Sequence, residues 1–97
     1  MNEEPVSDVT NIYYVISNVG DFNGDIQTVY LISDPEITLT STWGMVKPIQ
    51  FLNAAAATNA LLNTTINMPD DFTVDNTKAV VMKVTERTVK YMDYENV

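Results

Sequence analysis

The residues of this chain that could do chemistry are its carboxylates, because the side chains that most often perform catalysis are missing. The 97 residues include no histidine and no cysteine. Histidine is the commonest general base and transition-metal ligand, while cysteine supplies thiolate nucleophiles, metal ligands and disulfides. Serine triads and zinc sites therefore lose a central residue, and we expect a protein that is not an enzyme and uses no cofactor.

One acidic segment resembles the beginning of a calcium loop. Asp21-Phe22-Asn23-Gly24-Asp25 places oxygen-bearing side chains at its first, third and fifth positions. An EF-hand also needs glycine at the sixth position and glutamate at the twelfth, which are Ile26 and Ile32 here. Asn-Gly is a strong hairpin signal, so we interpret the segment as a hairpin turn with solvated acids and leave ion binding open.

A second acidic group, Asp70-Asp71 with Asp75, has the residue types for acid–base chemistry or magnesium binding. It follows Pro69, and the sequence shows neither a partner base nor a glycine-rich phosphate loop. The composition is typical of a connecting loop, and we do not expect catalysis there.

The charge is unevenly distributed along the chain. The first 46 residues contain seven acids and no lysine or arginine, and the first base is Lys47. The formal net charge of −8 therefore falls almost wholly on the first half, and such asymmetry favours a partner of opposite charge. The acidic composition disfavours direct nucleic-acid binding, which needs exposed lysine and arginine side chains. The acidic start and the absence of a long apolar run predict a cytoplasmic protein without a membrane segment.

The pattern of apolar residues predicts a polar, flexible acidic arm at 1–10 and one α+β domain at 11–97. We expect strands at 11–17, 26–32 and 36–43, with Ile37 and Leu39 facing inward, and a final extended region at 77–92. In the return strand, the residues from Ile26 to Ile32 alternate between two faces.

The segment 47–63 predicts the only helix, because it contains four consecutive alanines preceded by Asn53 as an N-cap. Pro48 either opens an earlier turn of this helix or lies in the preceding loop. Its expected sheet-facing side chains are Phe51, Ala55, Leu61 and Leu62. The order β-β-β-α-β indicates one helix packed on a three- to five-stranded, mainly antiparallel sheet.

Several short motifs resemble small proteins of phages and prophages of Gram-positive bacteria. These are Tyr13-Tyr14-Val15-Ile16-Ser17-Asn18, Thr42-Trp43, and Lys47-x-x-x-Phe51 leading into the alanine helix, followed by a valine-rich closing strand. The resemblance covers about residues 12–92. It implies a protein that acts in the cytoplasm of a bacterial host, and anti-CRISPR inhibitors belong to this class of phage protein.

Two hypotheses follow for function. The first is an acidic inhibitor that occupies the basic nucleic-acid-binding surface of a host defence nuclease. Phe22 is expected to be exposed at the tip of the acidic hairpin, beyond the reach of the core, and the expected partner-binding residues are Asp21, Phe22, Asp25, Asp34 and Glu36. The alternative is a structural or assembly module that forms a homodimer by pairing strand edges, using the uncharged helix face and the apolar strand at 12–16.

Overall fold

The structure is a computed structural model that describes residues 2–94 and consists of one helix packed on a six-stranded sheet. This confirms the predicted α+β class. The elements in chain order are β1 (Asn2–Phe22), β2 (Asp25–Ser33), β3 (Ser41–Gly44), α1 (Ala54–Asn63), β4 (Ile66–Asn67), β5 (Thr73–Val74), a 3₁₀ turn (Asn76–Lys78) and β6 (Val80–Tyr94).

The sheet is built around β1. The strand order is β4-β3-β2-β1-β5, and β6 also pairs with β1. All pairings are antiparallel except that of β3 with β4. Along β1, residues 2–17 pair with β6, while Gly20 and Asp21 pair with β5. The long strand therefore holds the two halves of the chain together.

The predicted hairpin joins β1 to β2 through a two-residue turn at Asn23 and Gly24. Both residues have positive φ angles, 58° and 95°, as a type I′ turn requires. The Asp21 carboxylate accepts a hydrogen bond from the Gly24 amide at 2.6 Å, which fixes the turn from the side-chain direction. The hairpin prediction is confirmed. The two strands extend to Phe22 and from Asp25, closer to the turn than the expected 11–17 and 26–32.

The core lies on the face of the sheet that α1 covers. Ile16, Val29, Leu31 and Trp43 of neighbouring strands are fully or almost fully buried there with Ala57 of α1. This confirms the predicted alternation along β2, because Val29 and Leu31 share the inward face.

The helix begins at Ala54, with the Asn53 side chain accepting a hydrogen bond from the Ala56 amide at 2.8 Å. The N-cap is as predicted, and of the two placements left open for Pro48 the structure has the loop before the helix. Pro48 disfavours a helical backbone at the residue before it, and the Phe51 amide and carbonyl are both bonded to Tyr14.

The helix face also differs from the expected one. Ala57 is buried and Leu61 is partly buried against the core, whereas Leu62 is 75% exposed and Ala55 is exposed. Residues 57 and 61 are one turn apart on the side of the helix that meets the sheet, and Ala55 and Leu62 lie off that side, so their inward placement was wrong.

The third strand is shorter than expected, because residues 36–40 form a loop and only Ser41–Gly44 is extended. The Asp34 carboxylate accepts hydrogen bonds from the Glu36 and Ile37 amides and so folds the chain back on itself. Leu39 has a left-handed backbone, with φ of 63°, and is 95% exposed. The inward placement of Ile37 and Leu39 was therefore wrong.

The first ten residues differ from the expected arm, because from Asn2 onward they belong to β1 and pair with β6. Within the described residues, 2–13 of β1 and 84–94 of β6 pair only with each other, and we call this two-stranded segment the ribbon. The molecule measures 60 × 31 × 24 Å, with a radius of gyration of 18.4 Å. A compact domain of this length has about 12–13 Å, so the fold is markedly elongated.

Candidate functional site

The five residues predicted to bind a partner lie at two separate ends of β2. Asp21, Phe22 and Asp25 surround the hairpin turn, whereas Asp34 and Glu36 lie in the loop after β2. The nine residues of β2 separate these groups by about 30 Å, given the usual rise per strand residue. The structure therefore brings together the first three and not the whole set.

Phe22 is only partly exposed and packs against the core. Its ring stacks on Phe72, with centroids 4.3 Å apart and planes inclined by 25°. Both rings contact the buried cluster that includes Val74 of β5. The expectation that no core could reach Phe22 was wrong, because the chain before β5 supplies an aromatic partner from fifty residues away.

The Asp34 carboxylate organises a loop. Besides the two hydrogen bonds from backbone amides already described, Asp34 accepts a third at Oδ2 from Asn67 Nδ2 of β4, at 2.8 Å. Hydrogen bonds from the Glu36 backbone amide and from the Asn67 side chain hold the pKa of Asp34 below its ordinary value. Asp34 thus ties the β2–β3 loop to β4, while Glu36 beside it is exposed.

The hairpin end of the sheet gathers carboxylates from two distant parts of the sequence. Asp21, Asp70 and Asp71 line one open concavity of about 460 Å³, together with the turn residues Asn23 and Gly24. We call Asp21, Asp70 and Asp71 the acidic end. Sequence analysis treated the two acidic segments separately, and the pairing of Asp21 with Thr73 in β5 is what joins them.

The calcium-like pattern is used by the hairpin itself. The Asp21 side chain accepts from the Gly24 amide, and the Asp25 side chain accepts from Gln27 Nε2 at 2.8 Å. Among the residues that the structure describes, no three acidic side chains are grouped so that they could hold a metal ion. These contacts support the interpretation of the segment as a turn.

Charged side chains on the ribbon pair across its two strands. Arg87 donates two hydrogen bonds to Asp8, Nε to Oδ1 at 2.9 Å and Nη2 to Oδ2 at 2.7 Å. The guanidinium holds the pKa of Asp8 below its ordinary value. The Tyr13 hydroxyl donates to Glu86, and this bond raises the pKa of Tyr13. Arg87 from the second half of the chain is thus paired with an acid from the first half.

The face of the sheet opposite α1 is apolar and is exposed toward its ends, whereas Val15 and Ser17 at its middle are buried. We call it the open face. Because residues alternate along each strand, Tyr13, Val15 and Val19 of β1 point away from the buried Ile16. Cross-strand partners share a face, which places Val80, Met82 and Val84 of β6 there, and Ile26 of β2. Four of these side chains are about half exposed (48–59%), namely Val19, Ile26, Val80 and Met82.

The middle of the open face carries no charge. The side chains of β1 between Tyr13 and Val19, and those opposite them on β2 and β6, are apolar or hydroxyl-bearing on this face. Charge begins toward its ends, at Glu86 and Lys90 on one side and at Asp21 on the other, where Lys78 lines the same concavity as Asp21. Apolar surface with a charged rim is typical of a protein–protein interface.

Comparisons with known proteins find no similar family model, curated protein or solved structure for this chain. In the part of the chain that the structure describes, no helix has the length and hydropathy needed to cross a membrane. The ribbon, the open face and the acidic end are therefore the features on which the functional argument depends.

Proposed function

We propose that this protein is a non-catalytic assembly module that binds other protein subunits through its elongated sheet. The observation that carries the proposal is the ribbon, whose two strands pair only with each other within the described residues. A two-stranded ribbon is marginally stable by itself in water, because it lacks a third strand or a covering layer. Its complete set of contacts is formed when it packs against a partner.

Apolar side chains on the ribbon support this proposal. Val6, Val9, Ile12 and Tyr91 are each at least half exposed. They are spread over both faces of the ribbon, and both of its outer edges present backbone groups that can pair with another strand. A ribbon that served only as a solvated extension would not need large apolar side chains on each face.

The overall dimensions point in the same direction. The radius of gyration of 18.4 Å is about one and a half times that of a compact chain of this length. The described residues also expose large apolar side chains outside the ribbon, such as Leu39 and Leu52. An elongated subunit with exposed apolar surface is the form expected of a chain that completes its core in an assembly.

The test is chemical cross-linking and affinity capture of the full chain in cells of its source, with captured proteins identified by mass spectrometry. Val9→Lys combined with Ile12→Lys places a charge on each face of the ribbon. We expect the amounts of the main captured proteins to fall at least tenfold in this variant. Leu62→Lys, a change on the exposed side of α1, is the matched control. A captured set that the ribbon variant leaves unchanged would refute the proposal.

The acidic end supports a second candidate function, binding of a basic protein. Asp21, Asp70 and Asp71 line one concavity, and the lining contains no lysine or arginine. Carboxylates held on ordered backbone attract a basic surface and speed its association. This second candidate function is that of a phage-encoded inhibitor of a host nuclease, of the anti-CRISPR type.

Salt dependence tests this second function. Asp21→Asn with Asp70→Asn removes two charges and keeps an oxygen that can still accept the Gly24 amide in the turn. Binding to a basic nucleic-acid enzyme is expected to weaken at least tenfold in this variant and to fall steeply with salt in the unchanged protein. Glu36→Gln, at the far end of β2, is the control. Salt-independent binding would contradict this function.

A further inference from the structure

We infer that the outer edge of β6 is the contact surface for a second copy of this chain, whose own β6 pairs with it antiparallel about a two-fold axis at Thr88. The inference rests on the proposed assembly function and identifies one partner. The two ribbons then form a single four-stranded sheet in the order β1-β6-β6-β1, and each β6 becomes an inner strand.

The outer edge of β6 offers a long row of backbone groups that can pair. Within the described residues, every strand partner of β6 is on β1, and no other backbone hydrogen bond reaches it. Val80–Tyr94 contains no proline and no glycine, so no donor is missing from the edge. The register shift in the ribbon falls between Pro5 and Ser7 of β1, which leaves β6 regular. A regular edge of this length is a template for another strand.

The free edge of β1 in the ribbon is less suited to a second copy. Pro5 has no backbone N–H, and the bulge beside it bends this strand and not β6. Residues 2–13 of β1 also include three acids and no base, so two copies joined there would bring like charges together. In contrast, β6 carries three of the five bases of the chain together with two acids. Two chains of net charge −8 therefore meet with less repulsion at β6.

The charges on β6 match each other when the axis lies at Thr88. In a two-fold contact, residue i of one copy meets residue j of the other, and j meets i. Glu86 of each copy then lies directly opposite Lys90 of the second, and the pair occurs at both ends of the contact. Positions 83 and 93 also lie opposite each other, and the sequence has lysine and aspartate there. Opposite charges directly across two strands stabilise a sheet.

Neighbouring registers lose this match. Successive registers that keep the same faces of the two copies on the same side move the axis by one residue. An axis at Arg87 places two guanidinium groups opposite each other, and an axis at Glu86 does the same with two carboxylates. An axis at Val89 places Glu86 opposite Met92, where there is no opposite charge. The axis at Thr88 is therefore the register that the charges favour.

The groups that form the new ion pair are accessible. Both Glu86 and Lys90 are exposed. The Tyr13 hydroxyl donates to Oε1 of Glu86, and within residues 2–94 neither Oε2 of Glu86 nor Nζ of Lys90 has a hydrogen-bond or ion-pair partner in the chain. Arg87 lies opposite an uncharged residue in this register and keeps its two hydrogen bonds to Asp8. Pairing through β6 therefore adds ion pairs without breaking those already present.

Strand pairing also supplies what the ribbon lacks. Residues 82–94 of the two copies overlap and exchange about 12 backbone hydrogen bonds. The register places Val84 opposite Met92 and Thr85 opposite Tyr91, and the exposed fractions of Met92 and Tyr91 are 47% and 61%. Cross-strand pairs of this kind shield apolar surface from water. A sheet needs three or more strands for stability in water, and the joined ribbons have four.

Site-directed cross-linking of the purified full-length protein tests the register, since the chain has no native cysteine. Two exposed threonines of β6, Thr88 and Thr85, provide a matched pair of cysteine variants. In the dimer two Cys side chains at position 88 have Cβ atoms about 5 Å apart, whereas two at position 85 are separated by about 20 Å along the strands. With a short bismaleimide, we expect at least tenfold more cross-linked dimer from Thr88→Cys than from Thr85→Cys.

Charge reversal gives the second readout, by sedimentation equilibrium. Glu86→Lys places lysines opposite each other at both ends of the contact, and Lys90→Glu places glutamates there. We expect each variant alone to raise the dimer dissociation constant at least tenfold. An equimolar mixture of the two restores opposite charges between unlike chains, so dimers should form again, which also shows that both variants fold. Glu36→Lys, a charge reversal in the β2–β3 loop, is the control that keeps the dimer.

The unchanged protein is expected to have the mass of a dimer at micromolar concentration. A monomeric mass would overturn the inference, and so would a series of larger species, which indicates β1 of one copy paired with β6 of the next. Equal cross-linking of the two cysteine variants, or a mixture of charge variants that stays monomeric, would also overturn it. Partners captured in cells alongside a monomeric purified protein would leave the assembly function standing and remove this partner.

Discussion

The ring of Phe22 stacks on the ring of Phe72, with the two centroids 4.3 Å apart. This contact joins the end of β1 to the chain that leads into β5, and so connects the two acidic segments of the sequence. Together with the pairing of Asp21 and Thr73, the aromatic pair holds Asp70 and Asp71 near Asp21. The acidic end therefore depends on an apolar contact for its geometry.

The first prediction concerns this aromatic pair. Phe72→Ala removes a partly buried ring from the core and from Phe22, and we expect it to lower the free energy of unfolding by about 2–3 kcal/mol. Urea denaturation followed by circular dichroism measures the change. Leu62→Ala, which removes an exposed side chain from α1, should change stability by less than about 0.5 kcal/mol. An equal effect of both substitutions would contradict the assigned packing.

Close packing beside this pair gives the second prediction. A Cβ atom added at Gly20 would lie 3.0 Å from the Phe72 ring, 3.0 Å from Val29 and 3.1 Å from the Phe22 ring. Gly20→Ala therefore forces rings and strand apart, and we expect a loss of about 1–3 kcal/mol in stability. The same substitution combined with Phe72→Ala should cost less than the sum of the two, because the cavity admits the methyl group. Additive losses would show that the crowding is absent.

The third prediction uses the single tryptophan. Trp43 is buried, and its Nε1 donates to Asn76 Oδ1 at 2.7 Å. Trp43→Phe and Asn76→Ala each remove this bond, so a double-mutant cycle should give a coupling energy of about 1 kcal/mol. Chemical denaturation of the four proteins, followed by circular dichroism, measures it. A coupling energy near zero would mean that the bond contributes nothing to stability.

Backbone strain at Leu39 gives the fourth prediction. Leu39 is 95% exposed and has a φ of 63°, a conformation that asparagine tolerates better than leucine. Leu39→Asn loses no packing and should raise the free energy of unfolding by about 0.5–1 kcal/mol. Leu52→Asn, also at an exposed leucine but without a positive φ, should give no such gain. Destabilisation by Leu39→Asn would count against the assigned loop conformation.

The fifth prediction is the acid response of the β2–β3 loop. The pKa of Asp34 is lowered in the folded state, so the stability that its carboxylate contributes is present above its ordinary pKa of about 3.9 and is lost as pH falls through the folded value. We expect urea midpoints to fall below about pH 4.

Asp34→Asn should lower the midpoint at pH 6 and flatten this acid dependence, because the amide carries no titrating proton and faces the Asn67 donor. Glu36→Gln removes a neighbouring charge without removing the hydrogen bonds that Asp34 accepts, and should preserve the acid response. Urea titrations of the three proteins between pH 2.5 and 6 provide the comparison. The same acid dependence in the Asp34 variant as in the unchanged protein would contradict the assignment.

Local signals predicted the parts of the fold that depend on neighbouring residues. The Asn23-Gly24 turn needs two positive φ angles, and the Asn53 cap needs one side-chain oxygen near the first helical amides. Both are properties of a few consecutive residues. Sequence reasoning therefore identified the hairpin and the N-cap at their correct positions.

The parts that were missed depend on residues far apart in the chain. Alternation over 36–40 predicted a strand. The hydrogen bonds that Asp34 accepts and the pairing of Ser41 with β2 instead decide where β3 begins. Likewise, the position of Phe22 depends on Phe72, and the first residues of β1 depend on β6. No local pattern contains these partners, so sequence reasoning did not bring Asp70 and Asp71 together with Asp21.

The pairing of β1 with β6 also has a consequence for the order of folding. Asn2 is opposite Tyr94 and Ser17 is opposite Val80, so each of these pairs closes a loop of more than sixty residues. On the ribosome β1 is made well before β6, its principal partner. Contacts of such high sequence separation form slowly. During translation, β1 therefore keeps an unpaired edge until β6 has been made. Two nascent chains can pair with each other along this edge before each pairs with its own β6.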